Sequence, residues 1–166
     1  MLSISGAALV GNGGPRKLVV YTDGAARGNP GESASGFEVY EDGKPIFNMV
    51  VYNGVKTNNY AEYNAIIKAL EWCAAKFNKA ETSVELFSDS DVAVNQINGK
   101  YKVKSNALSE LNERVRAIAG DFSSVTFRNV PREAEGIKRV DKTLNRFLDT
   151  KASSKRLCRN NLNLSE

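Results

Sequence analysis

The chain has 166 residues, 42% hydrophobic and 25% charged, enough to bury one core, and no run of about 18 consecutive apolar residues, which excludes a membrane-spanning helix on sequence grounds. Histidine is absent, so Ser-His-Asp and Cys-His catalysis, histidine-based zinc centres and imidazole proton shuttles are excluded, and Cys73 and Cys158 without a CxxC spacing make neither a disulfide framework nor a zinc site. The formal charge of +4 suggests an anionic partner, but Lys151, Lys155, Arg156 and Arg159 against the single acid Glu166 place most of that excess in the last sixteen residues and leave residues 1–150 nearly neutral.

Residues 1–16 are rich in Gly, Ser and Ala and read as a flexible leader without the basic flank of a signal peptide, so a cytoplasmic protein is expected. A β-rich run at 17–22 (KLVVYT) stops at Asp23-Gly24 and is followed by a Gly/Asn/Pro loop, AARGNPGESASG. Residues 36–41 alternate apolar and polar, 41–44 form a turn and 45–52 return, giving an antiparallel meander of three strands. From 58 to 77 the period changes, with Ala61, Ala65, Ile66, Ala69, Leu70, Cys73 and Phe77 on one helical face. A strand at 84–87, a short helix at about 90–97, an amphipathic helix at 105–119, a strand at 124–130 and a helix at about 138–148 complete the order. Val140, Leu144, Phe147 and Leu148 are expected to face inward. The β-β-β-α-β-α-α-β-α order describes an α/β fold, a mixed sheet covered by helices, with residues 17–150 as the domain and 151–166 as a basic tail, read as disordered with an anion-binding appendage as the alternative.

Four acids fall at comparable places: Asp23 at the end of the first strand, Glu62 in the first turn of the long helix, Asp89 at the end of the fourth strand and Asp141 at the opening of the last helix. Ends of neighbouring strands converge, and helices starting there add further side chains. Four carboxylates so gathered repel one another unless cations are present; with oxygen ligands and no histidine, Mg²⁺ or Mn²⁺ suits them. Each acid also has a purely structural reading. Asp23-Gly24 can be a turn, Glu62 three residues after Asn59 a capping box, Asp89 a helix cap, and Asp141 an acid favoured by a helix dipole.

The words TDGAARGNPG, TNNYAEYNAI, LFSDSDVAVNQINGKYKVK and VPRE…VDKTLN, in this order across residues 17–150, resemble type 1 ribonuclease H, the family that cuts the RNA strand of RNA/DNA hybrids. The resemblance implies the ribonuclease H-like fold, a five-stranded mixed sheet of three antiparallel strands and then two parallel ones, flanked by helices. It implies an endonuclease in which Asp23, Glu62, Asp89 and Asp141 hold two Mg²⁺ ions, with Mn²⁺ able to substitute, and leave 5′-phosphate and 3′-hydroxyl ends. Gly24 and the loop carrying Gly28 and Asn29 would read RNA 2′-hydroxyls, Thr57 and Asn59 would hold a DNA phosphate, and Asn58 would reach base edges. Gln96, Asn98 and the alternating Lys100, Lys102 and Lys104 are further candidate contacts, with a solvated charge run as the equal alternative for the lysines. The partner implied is the hybrid, with no membrane and a monomeric state.

The sequence departs from the family in three places. The loop before the last acid carries Glu133, Ala134 and Glu135 where many members have a histidine, so any help with product release falls to Glu135, with an ordinary loop acid as the alternative reading. VDKTLN replaces an ADxLAN pattern, which makes Asp141 the aligned fourth carboxylate. No basic helix-and-loop handle fits between Gly99 and the helix at 105. The rival readings are another nuclease of the superfamily, resolvase- or integrase-like, and a catalytically silent hybrid-binding module.

Overall fold

The computed structural model describes the backbone of residues 15–162 and the side chains of residues 15–158. Residues 1–14 of the expected leader and 163–166 of the expected tail lie outside the described residues.

Five strands form one sheet in the order β3-β2-β1-β4-β5: β1 (Arg16–Gly28), β2 (Gly31–Glu41), β3 (Lys44–Lys56), β4 (Thr82–Ser88) and β5 (Ser124–Asn129). β1 runs antiparallel to β2 and β2 to β3, whereas β4 is parallel to both β1 and β5. This is the expected mixed sheet. The helices are α1 (Asn58–Lys76), α2 (Asp91–Ile97), α3 (Asn106–Ala119) and α4 (Glu135–Leu162), with a short 3-10 turn at Lys79–Glu81.

The period of two along the strands sorts side chains between two cores. Leu18 and Val20 of β1, Phe37 and Val39 of β2 and Val84 and Leu86 of β4 meet Tyr63, Ile66, Ile67 and Leu70 of α1 and Val115 of α3 on one face. On the other face Ala34 meets Val140, Leu144 and Leu148 of α4, with Tyr21, Ala25 and Phe147 at the margin. Each fully buried Leu or Ile contributes about 1.5–3 kcal/mol relative to exposure, so these two layers fix where α1 and α4 sit on the sheet.

Among the boundaries that differ from those the sequence suggests, three stand out. The supposed loop AARGNPGESASG is a hairpin: the β1/β2 ladder runs without a break from Asp23↔Gly36 to Gly28↔Gly31, leaving only Asn29 and Pro30 outside the ladder. Its small residues give no hydrophobic alternation, but they let both helices approach the sheet; a Cβ on Gly36 would lie 3.0 Å from Val140 Cγ1 and 3.1 Å from Leu144 Cδ2. The strand begins one residue earlier than expected, at Arg16, whose guanidinium pairs with Glu41 at 2.9 Å and lies 4.5 Å from the Phe77 ring centroid.

The third difference is larger. The tail expected to be disordered continues α4 as far as Leu162. Residues 151–162 carry no apolar stripe, and Leu157 is 65% exposed. An established helix nonetheless gains one backbone hydrogen bond per added residue without a second nucleation cost, and Lys, Arg and Ala are good helix formers.

Candidate active site

The parallel pairing of β1 with β4 ends at Thr22↔Ser88. Asp23 and Asp89 each follow that last pair, so they emerge side by side, Asp23 still tied to Gly36 of β2 and 4% exposed, Asp89 half-buried. Glu62 arrives from α1. A Cβ on Gly24 would stand 2.3 Å from the Ala61 carbonyl carbon and 2.4 Å from the Glu62 nitrogen, so only glycine lets β1 pass this close to the helix. The Ser35 hydroxyl donates to the Ala61 carbonyl at 2.6 Å and pins the same turn.

One carboxylate oxygen from each of Asp23, Glu62 and Asp89 lies within 4.8 Å of the other two. Asp23 Oδ1 accepts from the Gly24 amide at 2.9 Å, while Glu62 Oε2 and Asp89 Oδ1 are buried with no hydrogen-bond partner among the described residues. Buried acceptors without donors are costly, and three carboxylates converging on them make the set fit a hard divalent cation. Burial first, then the charges of Asp89 and Asp141, push Asp23 from the ordinary 3.8 up to about 8. Burial followed by Asp23 and Asp89 holds Glu62 well above its ordinary value, and burial raises Asp89 against the lowering pull of Arg132.

Asp141 stands outside this trio but acts on it, since its charge raises both Asp23 and Asp89. Its carboxylate accepts from Arg132 at 3.3 Å. Arg132 is a residue that sequence reasoning missed. The word VPRE contains it, but a lone arginine in a loop carries no periodic signal, and only the fold turns it toward Asp141.

The structural alternatives for the four acids do not survive. Asp23 and Gly24 lie within β1 and not in a turn. Thr57 is the N-cap of α1, accepting from the Tyr60 amide at 3.2 Å, so Glu62 is the fifth helical residue, past the first turn and outside any capping box. Ser90 caps α2 by accepting from the Ala93 amide at 3.2 Å, which leaves Asp89 unused as a cap. Asp141 does not open the last helix as the sequence suggests; α4 begins at Glu135, a turn and a half earlier, so a helix-start dipole does not account for it.

A family model for RNase H matches residues 15–130. The chain belongs to the ribonuclease H family. Among solved structures, RNase H1 from Halobacterium salinarum is 32% identical at a TM-score of 0.75, covering 81% of this chain and 98% of that one. The LC11-RNase H1 structure, a complex with an RNA/DNA hybrid, is 34% identical at a TM-score of 0.70, covering 79% and 99%. The bifunctional protein Rv2228c of Mycobacterium tuberculosis is 32% identical over 140 residues, 83% of this chain. The chain spans only 37% of that relative's length, and 65% of the curated ribonuclease HI of Halobacterium salinarum. These matches make this a type 1 member of the ribonuclease H family.

In this ribonuclease H chain the expected substrate residues are brought together unevenly. The tip of the β1/β2 hairpin is laced to the start of α1: the Asn58 side-chain oxygen accepts from the Ala26 amide at 3.0 Å, and the Asn58 amide donates to Asn29 Oδ1 at 3.1 Å. Gly28, at φ +109°, and Asn29 therefore sit beside Thr57, Asn58 and Asn59, and Asn29, Thr57 and Asn59 line one groove with Tyr60, Ser105 and Leu108. Gln96 is spent elsewhere. Its side chain accepts from the Tyr63 hydroxyl at 2.8 Å in a buried network with Asn112 and Arg116. Asn98 donates to the Phe127 carbonyl at 3.0 Å, and Lys102 and Lys104 are exposed on an irregular segment. Glu135 opens α4, 80% exposed, and pairs with Lys138 at 3.3 Å; Glu133 is the loop acid whose charge acts on Asp89.

Proposed function

We propose that the protein hydrolyses the RNA strand of RNA/DNA hybrids endonucleolytically with two divalent cations, Mg²⁺ or in its place Mn²⁺, leaving 5′-phosphate and 3′-hydroxyl ends. The observation that carries this reading is the convergence of Asp23, Glu62 and Asp89, with two buried, partnerless carboxylate oxygens, at the same end of the sheet as the hairpin laced to α1. Bound cations would lower the pKa of an attacking water and stabilise the departing 3′ oxygen, which accounts for hydrolysis without histidine.

The chain's own residues do the rest. Asp23, Glu62 and Asp89 hold the cations, and Asp141 completes the site from α4. Arg132 keeps Asp141 oriented and presents a positive charge where the scissile phosphate would enter. The Gly28-Asn29 tip brings backbone groups close enough to test for a 2′-hydroxyl, which only the RNA strand has. The hybrid-bound LC11 relative supports the choice of substrate. No helix among the described residues is long and apolar enough to cross a membrane, and we place the activity in the cytoplasm in a monomer.

The test is cleavage of an end-labelled hybrid, an RNA duplex and a DNA duplex side by side, with Mg²⁺, with Mn²⁺ and with EDTA. Cleavage of the RNA strand in the hybrid only, abolished by EDTA, is expected. Equal cleavage of the DNA duplex, or full activity in EDTA, overturns the reading.

A further inference from the structure

We propose that the basic extension of α4, Lys151, Lys155 and Arg156, is a phosphate-binding surface that grips the nucleic-acid backbone well away from the carboxylates. The proposal rests on the hybrid being the substrate.

Past Leu148, the last buried apolar residue of α4 among the described residues, the helix turns basic, with Lys151 and Lys155 still touching the sheet. Lys151, Lys155 and Arg156 border an open pocket of about 340 Å³ together with Arg27 of the hairpin, Glu32 of β2 and Leu148. Two attachments hold the extension in place. Lys155 pairs with Glu32, which also accepts from the Tyr52 hydroxyl, and the Lys151 ammonium lies 3.8 Å from the Tyr52 ring centroid. From the hairpin side, Arg27 donates to Asn145 Oδ1 at 2.9 Å and pairs with Asp149 at 2.9 Å. Four cations thus line this pocket with the single acid Glu32, while Arg27 also pairs with Asp149 outside it, and Arg156 forms no ion pair among the described residues.

Helix geometry sets the reach. Arg156 follows Asp141 by fifteen residues, which at 1.5 Å per residue places it roughly 22 Å along α4 from the active site. At about 3.4 Å of axial rise per phosphate, that length matches about six phosphates of one strand. The charge is concentrated here because residues 1–150 are nearly neutral and the connection from α2 to α3, residues 98–105, holds no basic helix. Ammonium and guanidinium groups bind phosphates without regard to base sequence, as a nuclease of broad sequence range requires.

The test compares the protein with its Lys151→Gln/Lys155→Gln/Arg156→Gln variant, measuring kcat and KM for a labelled hybrid and the affinity for that hybrid across a salt series. The expected result is a KM raised about tenfold near 0.1 M salt, kcat within about twofold, and a plot of log Kd against log salt shallower by about 2 to 3, roughly one for each lost phosphate contact. Lys151→Arg/Lys155→Arg/Arg156→Lys retains the charge and restores both affinity and slope. An unchanged KM and slope in the glutamine variant, with the parent protein cleaving normally, overturns this proposal alone. A lower melting temperature and lower kcat at unchanged slope also overturn it, leaving the extension as a mechanical clasp. A parent protein that binds no hybrid overturns the functional reading as well.

Discussion

Replacing Asp23 with asparagine separates the electrostatic load of the site from its chemistry. In the folded protein without metal the Asp23 carboxyl is raised from 3.8 to about 8, so its protonated form is favoured over a wide range. A folded-state pKa above the unfolded one gives stability that is intact below about pH 4 and is lost as pH rises through 8. At 1.36 kcal/mol per unit, ionising Asp23 in place at pH 8 carries an upper cost of roughly 5 kcal/mol, and relaxation of Glu62 and Asp89 with screening by solvent ions brings the expected net to about 2–3 kcal/mol. Asparagine keeps an oxygen for the Gly24 amide and removes the charge. Asp23→Asn should therefore melt roughly 5–10 °C higher than the parent at pH 8 in EDTA, with the difference falling to about a third near pH 5. Mg²⁺ should raise the parent's melting temperature at pH 8 and leave the variant nearly unmoved, and the variant should not cleave a hybrid. Calorimetry at the two pH values with and without Mg²⁺, alongside the cleavage assay, decides it. A variant no more stable than the parent at pH 8, or one that still cleaves at near parental rate, refutes the reasoning.

Other substitutions probe the supports of the site. Gly24→Ala puts a methyl group 2.3 Å from the Ala61 carbonyl carbon, so β1 and α1 must part; unfolding in urea should show a loss of about 2 kcal/mol or more, with kcat down at least tenfold. Arg132→Ala should lower kcat about tenfold through the loss of a charge-assisted contact to Asp141, with Arg132→Lys intermediate in steady-state assays; equal rates for all three proteins would remove Arg132 from the mechanism. Glu135→Gln should stay within about twofold of the parent while Asp141→Asn loses about tenfold or more, a contrast that parallel progress curves reveal. Asn112→Ala breaks the buried chain linking Arg116, Asn112, Tyr63 and Gln96 and should cost about 1–3 kcal/mol in chemical denaturation at unchanged kcat.

The amphipathic period of α1 and α3, the alternation in β2 and β4 and the four acids with their flanking words were legible in the chain, because each is a local pattern that burial on one face enforces. The hairpin through residues 25–35 was not. Its Gly, Ala and Ser residues carry the composition of a loop, and what makes them strands is the ladder to a partner and the room they leave for α1 and α4. The helical course of residues 151–162 was hidden for a related reason, since it depends on the helix before it and on contacts with Glu32 and Tyr52, not on any periodicity of its own.

The division is the same at the site. Sequence alone determined which side chains could hold a divalent cation, and the lack of histidine narrowed the chemistry to them. Tertiary structure decided that Asp23, Glu62 and Asp89 form the close trio while Asp141 stands beside it with Arg132, that Ser90 and Thr57 take the capping duties, and that Gln96 is spent inside the core. Those outcomes turn on where two strands cease to pair and how closely one glycine lets a helix approach, distances set between segments far apart in the chain.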